Sequence, residues 1–189
     1  MININKKYQI KISNSNQKQL ITLKIYNKSN VLNGSWKWLN SENVTSLMDK
    51  GFKKNTFKDQ LNYFNKINRS KKDILFAIYF RNKHVGNVGL HNINYKNKTA
   101  QFGIIIGNTN YHNKGIGKKV WYEIMSFGFN QLKLKKIYTM IVTTNIPSTR
   151  IARFLGFKKM NKKFFLIKKG KKLNYQKFFL KKKLFQQKI

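Results

Sequence analysis

Between residues 74 and 145 the spacing of apolar residues changes rhythm, and that change limits the folds open to the chain. Three compact apolar runs come first: "ILFAIYF" (74–80), "VGNVGLHNINY" (85–95) and "TAQFGIIIG" (99–107). The joins "RNKH" and "KNK" are too short for a crossover, so these runs predict antiparallel neighbours. The loop "NTNYHNK" then leads into Gly115, and helical spacing over 115–132 points Ile116, Val120, Trp121, Ile124, Met125 and Leu132 to one side. "KKIYTMIVTTN" (135–145) reads as a strand again. A strand, a helix and a strand in succession imply a parallel pair. One mostly antiparallel sheet must therefore hold a parallel pair in its middle, and at such a junction a ligand can enter between strands.

The flanks fit round this centre. "LITLKIY" (20–26) alternates as a strand does. Residues 31–48 carry Leu32, Trp36, Leu39, Val44, Leu47 and Met48, and read as a short helix, a break near Asn40–Ser41 and a second helical turn. In 56–67, Phe57, Leu61, Phe64 and Ile67 recur at helical spacing, with Asn55 or Thr56 as the cap. A short helix over 147–157 starts with Pro147 in its first turn and stops at Gly156. "KFFLIKK" and "NYQKFFLKKK" flank Gly170 as a closing hairpin. The expected class is α+β: a mixed, mostly antiparallel twisted sheet with one central parallel pair, flanked by about four helices. Residues 1–18 are polar and read as a leader or an extra edge strand, and 19–189 as a single domain.

Composition removes several function classes. With no cysteine there are no disulfides, thiolate metal sites or cysteine acyl-enzymes. His84, His91 and His112 lack metal-ligand spacing, so no metal is expected. No apolar stretch is long enough to cross a membrane, and the N-terminus lacks a signal peptide's apolar core, so the expectation is a cytoplasmic protein. The formal charge is +35, yet only Arg69, Arg81, Arg150 and Arg153 are arginines among 40 basic residues. Lysine, asparagine and isoleucine in excess are what AT-rich codons encode. Readers of specific nucleic-acid sequences use arginine forks, so no specific nucleic-acid partner is expected. A non-enzymatic, basic nucleic-acid binder is the rival from another class.

The stretch "YHNKGIGKKVWYEI" (111–124) is the strongest local feature. The first amides of a helix have no internal partners, and the helix dipole favours an anion there. Gly115 and Gly117 leave those amides open, and Lys114 and Lys118 add charge at the rim. The spacing is neither a Walker loop nor a dinucleotide-binding fingerprint. It suits a pyrophosphate cradle.

The run "HVGNVGLHNINYKNKTAQFGIIIGNTNYHNKGIGKKVWYEIMSFGFNQLKLKKIYTMIVTTNIPSTRIARFLGFKK" (84–159) resembles the GNAT acetyltransferases, in particular the branch that acetylates ribosomal-protein N-termini and amino sugars. The resemblance extends over roughly residues 20–183, through "WKWLNSENVTSLM" and "TFKDQLNYF". The family's phosphate signature is Gln or Arg, two residues, Gly, one residue, then Gly or Ala. It reads "HNKGIG" here, with His112 in the first place. The second signature reads Asn145, Ser148, Gly156 and Phe157.

The resemblance implies acetyl-CoA as co-substrate, with its pyrophosphate on the amides of Asn113, Lys114, Gly115, Ile116, Gly117 and Lys118, and His112 in the loop near CoA. It implies pantetheine along Ile104, Ile105 and Ile106, and Asn145 and Ser148 on the far side. It implies direct transfer of acetyl to a primary amine. The acceptor expected is an amino sugar, nucleotide-linked or free, with a protein N-terminus as the alternative and a monomer or homodimer as the working form. Relatives carry a glutamate where this chain has Gln101, or a tyrosine where it has Ala152. The candidates left for proton transfer are His91, since imidazole can accept a proton near neutral pH, and a water relay held by Gln101 and Asn92. The strand register decides which of His91 and Asn92 faces Gln101. Trp36, Asn92 and Gln101 are the expected acceptor-binding residues, with Trp38 as a further aromatic nearby.

Overall fold

The computed structural model describes residues 8–14, 17–46, 48, 54–168 and 171–186. Residues 1–7, Leu47, Asp49 and Gly170 lie outside the described residues. Eight strands make one sheet: β1 (Gln9–Asn14), β2 (Gln17–Ile25), β3 (Ile74–Phe80), β4 (Lys83–Asn94), β5 (Thr99–Ile106), β6 (Lys136–Val142), β7 (Lys158–Lys168) and β8 (Lys171–Lys181). Their order is β1-β2-β3-β4-β5-β6-β8-β7. Every pairing is antiparallel except β5 with β6. The helix after β5 has to cross back to bring β6 alongside in parallel, as the sequence demands. Part of the polar leader is a strand, because β1 pairs with β2 at the sheet edge.

The helices are α1 (Lys28–Leu32), α2 (Glu42–Thr45), α3 (Phe57–Arg69), α4 (Ile116–Ser126), α5 (Ile146–Phe154) and α6 (Lys182–Gln186). Between α1 and α2 the chain makes a 3-10 turn at Ser35–Asn40. Thr56, one of the two expected caps, closes α3 in a reciprocal pair with Asp59. The helix expected to run unbroken to residue 132 is α-helical only to Ser126 and widens into a π-turn at Phe127–Gln131. Gly128 lies in that turn, where an added Cβ would come within 2.8 Å of Ile137 Cδ1, so the wide turn lets the backbone press onto β6.

Alternation along β3 sends Phe76, Ile78 and Phe80 to one face, into the main core with Val120, Ile124 and Phe129. Leu75, Ala77 and Tyr79 face the other way, against α1 and α3 through Val31, Tyr63, Phe64 and Ile67. No helix among the described residues is long and apolar enough to cross a membrane.

On the α3 side His84 is built into the packing. Its Nε2–H donates to Gly86 O at 3.0 Å and to Asn87 Oδ1 at 2.9 Å, and its Nδ1 accepts from Asn30 Nδ2 at 3.4 Å. Tyr79 stacks on the ring and Trp38 meets it edge-on. Burial holds its pKa below the ordinary histidine value, against the hydrogen bonds it donates to Asn87 and Gly86. A depressed folded pKa gives stability that is full above the unfolded value, about 6.5, and is lost as pH falls through the folded one. We expect the melting temperature to drop as pH is lowered from 8 to 5. His84→Gln should be less stable at pH 8, with its deficit closing towards pH 5 in the same thermal melts.

Candidate active site

The parallel pair holds for three residues only. Thr99, Ala100 and Gln101 pair with Lys136, Ile137 and Tyr138, and no further. Beyond that point β5 stays with β4 as far as Ile106, and β6 stays with β8 as far as Val142. The two strands diverge, so the edge of β5 at 103–106 has no strand partner on its β6 side. A cleft of about 500 Å³ opens there. It is lined by Gly103, Ile104 and Ile105 from β5 and by Thr139, Met140 and Ile141 from β6. Trp121 of α4 lines it too. Residues from both faces of the sheet share one cleft, so the gap runs through the sheet.

At the mouth of the gap α4 begins. Gly115 is its cap residue with φ +73°, a left-handed conformation that suits glycine, and no side chain caps this end. A Cβ at Gly115 would meet nothing within 4 Å, and one at Gly117 only Ile151 Cδ1 of α5 at 3.8 Å. The first amides of α4 are therefore open and carry the positive end of the dipole. Lys114 and Lys118 are exposed, their ammonium groups lying 5.2 Å from the Tyr111 ring centre and 3.6 Å from that of Phe154. His112 ties the loop to the end of β5, its Nε2–H donating to Ile106 O at 2.8 Å. The residue in the first place of the signature thus acts as a strut for the turn. Asn145 caps α5 by accepting from Ser148 N at 3.1 Å, and both residues line the cleft.

On the α3 face the floor of the cleft is formed by Asn87 and His91 of β4, with Gly89 between them in the strand, beside Gln101, Gly103 and Ile105 of β5. His91 is the residue opposite Gln101. A bulge follows, with Asn92 at φ +50°, and it turns Asn92 back to the same place. Asn92 Nδ2 donates to Gln101 Oε1 at 3.4 Å. Both candidates for the place beside Gln101 therefore reach it.

Asp73, just before β3, joins them. Its Oδ1 accepts from His91 Nδ1 at 3.0 Å and from the Asn92 amide at 3.3 Å, while Ser70 Oγ donates to Oδ2. Burial alone would raise the Asp73 pKa. The hydrogen bonds from Ser70, His91 and Asn92, with the His91 charge, outweigh it and hold the carboxyl below its ordinary value. An ionised Asp73 takes the Nδ1 proton of His91 as a hydrogen bond, which leaves Nε2 as the nitrogen free to accept. The ring is seated on the cross-strand pair Gly89–Gly103: an added Cβ at Gly89 would come within 2.8 Å of Nε2, and one at Gly103 within 3.9 Å of Cδ2.

Some expectations fall elsewhere. Trp38, not Trp36, lines the cleft. Its ring lies on Gly107, where a Cβ would come 2.0 Å from Trp38 Cδ2. Trp36 carries the ammonium of Lys37 5.8 Å from its ring centre and does not line the cleft. Neighbours in a 3-10 turn point in different directions, so only one of the residues 36 and 38 can face inward here. Ile106 and residues 112–118 are not among the residues that line the cleft. Ala152 is fully buried in the core. Asp73, Gln60 and Tyr63 also line the cleft and were not expected. The rarity of carboxylates was the available signal for Asp73, since it is one of five and opens a buried strand.

A family model described as the acetyltransferase (GNAT) domain matches residues 31–158. The chain belongs to this family. Among curated proteins it is similar to the uncharacterized N-acetyltransferase YoaA of Bacillus subtilis (strain 168), 31% identical over 75 residues, which is 40% of this chain and 42% of that protein. The spermidine N(1)-acetyltransferase of Escherichia coli (strain K12) is 33% identical over 82 residues, 43% of this chain and 44% of that one. The matched segment thus spans less than half the length of these curated relatives. The spermidine N-acetyltransferase of Vibrio cholerae, solved in complex with CoA and spermine, superposes with a TM-score of 0.76 at 20% identity, covering 88% of this chain and 98% of that one. A putative acetyltransferase of known structure gives 0.74 at 10% identity, covering 99% and 92%. These superpositions bear out the GNAT fold. Two of these four relatives carry the name of a spermidine acetyltransferase, and none carries that of a ribosomal-protein or nucleotide-sugar enzyme.

The seat of His91 is testable without knowing the reaction. Gly89→Ala should destabilise the fold by about 1–3 kcal/mol and displace His91 from Asp73, since the added methyl also lies 2.8 Å from the Ile74 carbonyl. Gly103→Ala should be tolerated. Thermal unfolding and the His91 imidazole NMR signals of both GNAT variants are the check.

Proposed function

We propose that this GNAT protein is an N-acetyltransferase that takes acetyl from acetyl-CoA and passes it directly to a primary amine. The observation that carries the reading is the parting of β5 from β6 beside the uncapped N-terminus of α4. In it, the pyrophosphate rests on the amides of 113–118 and the pantetheine runs along the open edge at Ile104–Ile106. Asn145 and Ser148 border the opposite side. The thioester then lies over the floor that holds His91, Asn92 and Gln101.

The amine nitrogen attacks the thioester carbon, negative charge gathers on the carbonyl oxygen, and the C–S bond breaks with CoA leaving as thiolate. His91 Nε2 takes the amine proton, with Asp73 holding the ring and balancing the imidazolium. That imidazolium can return the proton to the thiolate. Gln101 and Asn92 orient the amine. Most of the rate comes from positioning, and the base adds about 10²–10⁴-fold. The lack of cysteine agrees with direct transfer.

For the acceptor, the charge of the cleft is decisive. Asp73 is the one carboxylate among its described lining residues, and it is already engaged by His91. Lys66 lines the same wall. A polycation finds no free counter-charge there, so a neutral or anionic amine, such as an amino sugar, fits better. A polyamine is the second reading, favoured by the spermidine acetyltransferases among the relatives.

Release of CoA thiol from acetyl-CoA reads the reaction cleanly, because the protein has no thiol of its own. Amino sugars should be turned over and spermidine poorly; the reverse order would establish the polyamine reading. Turnover of no amine, with acetyl-CoA bound, would overturn the enzyme. His91→Gln should lower kcat about 10²–10⁴-fold at unchanged acetyl-CoA affinity, while Gln101→Ala should lower it only modestly. Gly115→Val and Gly117→Glu should each weaken CoA binding in calorimetry, the first by straining a left-handed position and the second also by repulsion.

A further inference from the structure

A chain of hydrogen bonds behind the α3 wall fixes the orientation of Gln60. Ser35 Oγ lies 2.6 Å from the Asn30 carbonyl, which can only accept, so the serine proton is spent there. Tyr26 Oη lies 3.1 Å from Ser35 Oγ and must therefore be the donor of that pair. The tyrosine oxygen is left to accept, and it accepts from Gln60 Nε2 at 3.2 Å. The amide cannot be turned over without setting acceptor against acceptor. Gln60 Oε1 is thus directed away from Tyr26, is enclosed, and has no hydrogen-bond partner. Gln60 is only 4% exposed and lines the cleft on the same helix face as Tyr63 and Ile67.

A buried acceptor without a donor carries a desolvation cost that a ligand relieves where the cleft wall gives enough to admit its donor. Resting on the reading of this cleft as an acetyl-acceptor site, we propose that Gln60 Oε1 selects acceptors that carry a second hydrogen-bond donor, an O–H or N–H, in addition to the amine that reacts. The neutral amide asks for a donor without asking for a cation. The substrate class is therefore a hydroxylated or amidic primary amine, and a bare alkylamine lacks the feature that Gln60 reads. Tyr26 and Ser35 are positioning residues, since they act only by holding the amide.

The test compares glucosamine, which carries hydroxyl donors, with cyclohexylamine, which carries none. Both are measured with wild type, Gln60→Leu and Tyr26→Phe. Wild type should favour glucosamine by about tenfold or more in kcat/KM. Gln60→Leu should erase the preference by raising the KM for glucosamine alone, with cyclohexylamine kinetics and the acetyl-CoA KM unchanged. Tyr26→Phe frees the amide to turn and should lower the preference part of the way. Calorimetric binding of the two amines to the CoA-loaded protein gives the same comparison without turnover. A binding preference that Gln60→Leu erases supports the inference even if no acetyl is transferred. A preference that survives in Gln60→Leu would mean that Oε1 is served by an internal water only, and would overturn it. Equal losses for both amines would mark Gln60 as a packing residue and overturn it as well. Should Gln60→Leu fail to fold, an undiminished preference in Tyr26→Phe would overturn it too.

Discussion

The architecture depends on how briefly β5 and β6 run together. Three residue pairs join them, and then each strand follows its other neighbour. A full parallel ladder would seal the sheet and leave no cleft. A complete break would leave the core open to water. The short contact keeps the core continuous through Ala100, Phe102 and Ile137 while it leaves backbone at the edge of β5 without a strand partner. Buried backbone polar groups seek partners, so this edge is predisposed to an extended ligand carrying amides of its own. The start of α4 then follows from geometry, because the crossover has to begin where β5 ends, beside the gap.

The second constraint is electrostatic. A chain with five carboxylates and 40 basic residues has few ways to steady a positive charge. Asp59 is spent on the α3 cap, and burial raises the pKa of Glu123 on α4. Asp73, the one carboxylate among the described cleft residues, meets a histidine, and its hydrogen bonds keep it ionised against its burial. Tyr63, also in the cleft wall, is pushed up to about 12 by burial, with the Asp73 charge next. It stays a neutral phenol over the range in which an imidazole titrates. In the proposed reaction the proton traffic is thus confined to one small group of side chains.

Much of this was legible in the sequence, and the exceptions have physical causes. Strand and helix periods gave the order of elements because the buried faces repeat without interruption. The glycines at 115 and 117 were legible because they open a helix behind a loop. The π-turn was not, since its cause is Gly128 pressing on a strand that comes later in the chain. The Asp73–His91 pair was not either: the two are far apart in sequence, and a bulge at Asn92 sets their alignment. For the same reason, periodicity could not choose between Trp36 and Trp38, which share a 3-10 turn. Gln60 looked like any polar residue on an amphipathic helix. Its role rests on which partner in a relay of four groups has a proton to give.

The three-pair seam also divides the molecule along its length. Strands β1 to β5 come from the first stretch of chain and β6 to β8 from the last, and the backbone passes between the two leaves only once, through α4. Each leaf holds its own ladder intact. In the proposed reaction the leaf carrying α3, His91 and Gln60 reads the acceptor, while the later leaf contributes the α5 wall of the gap. The β5 edge proposed to hold the pantetheine lies in that same first leaf, so residues that meet the acceptor can drift only where they leave this edge intact. Two fragments made by cutting the loop before α4 would still share one apolar core, through Phe102, Trp121 and Ile137, to draw them together.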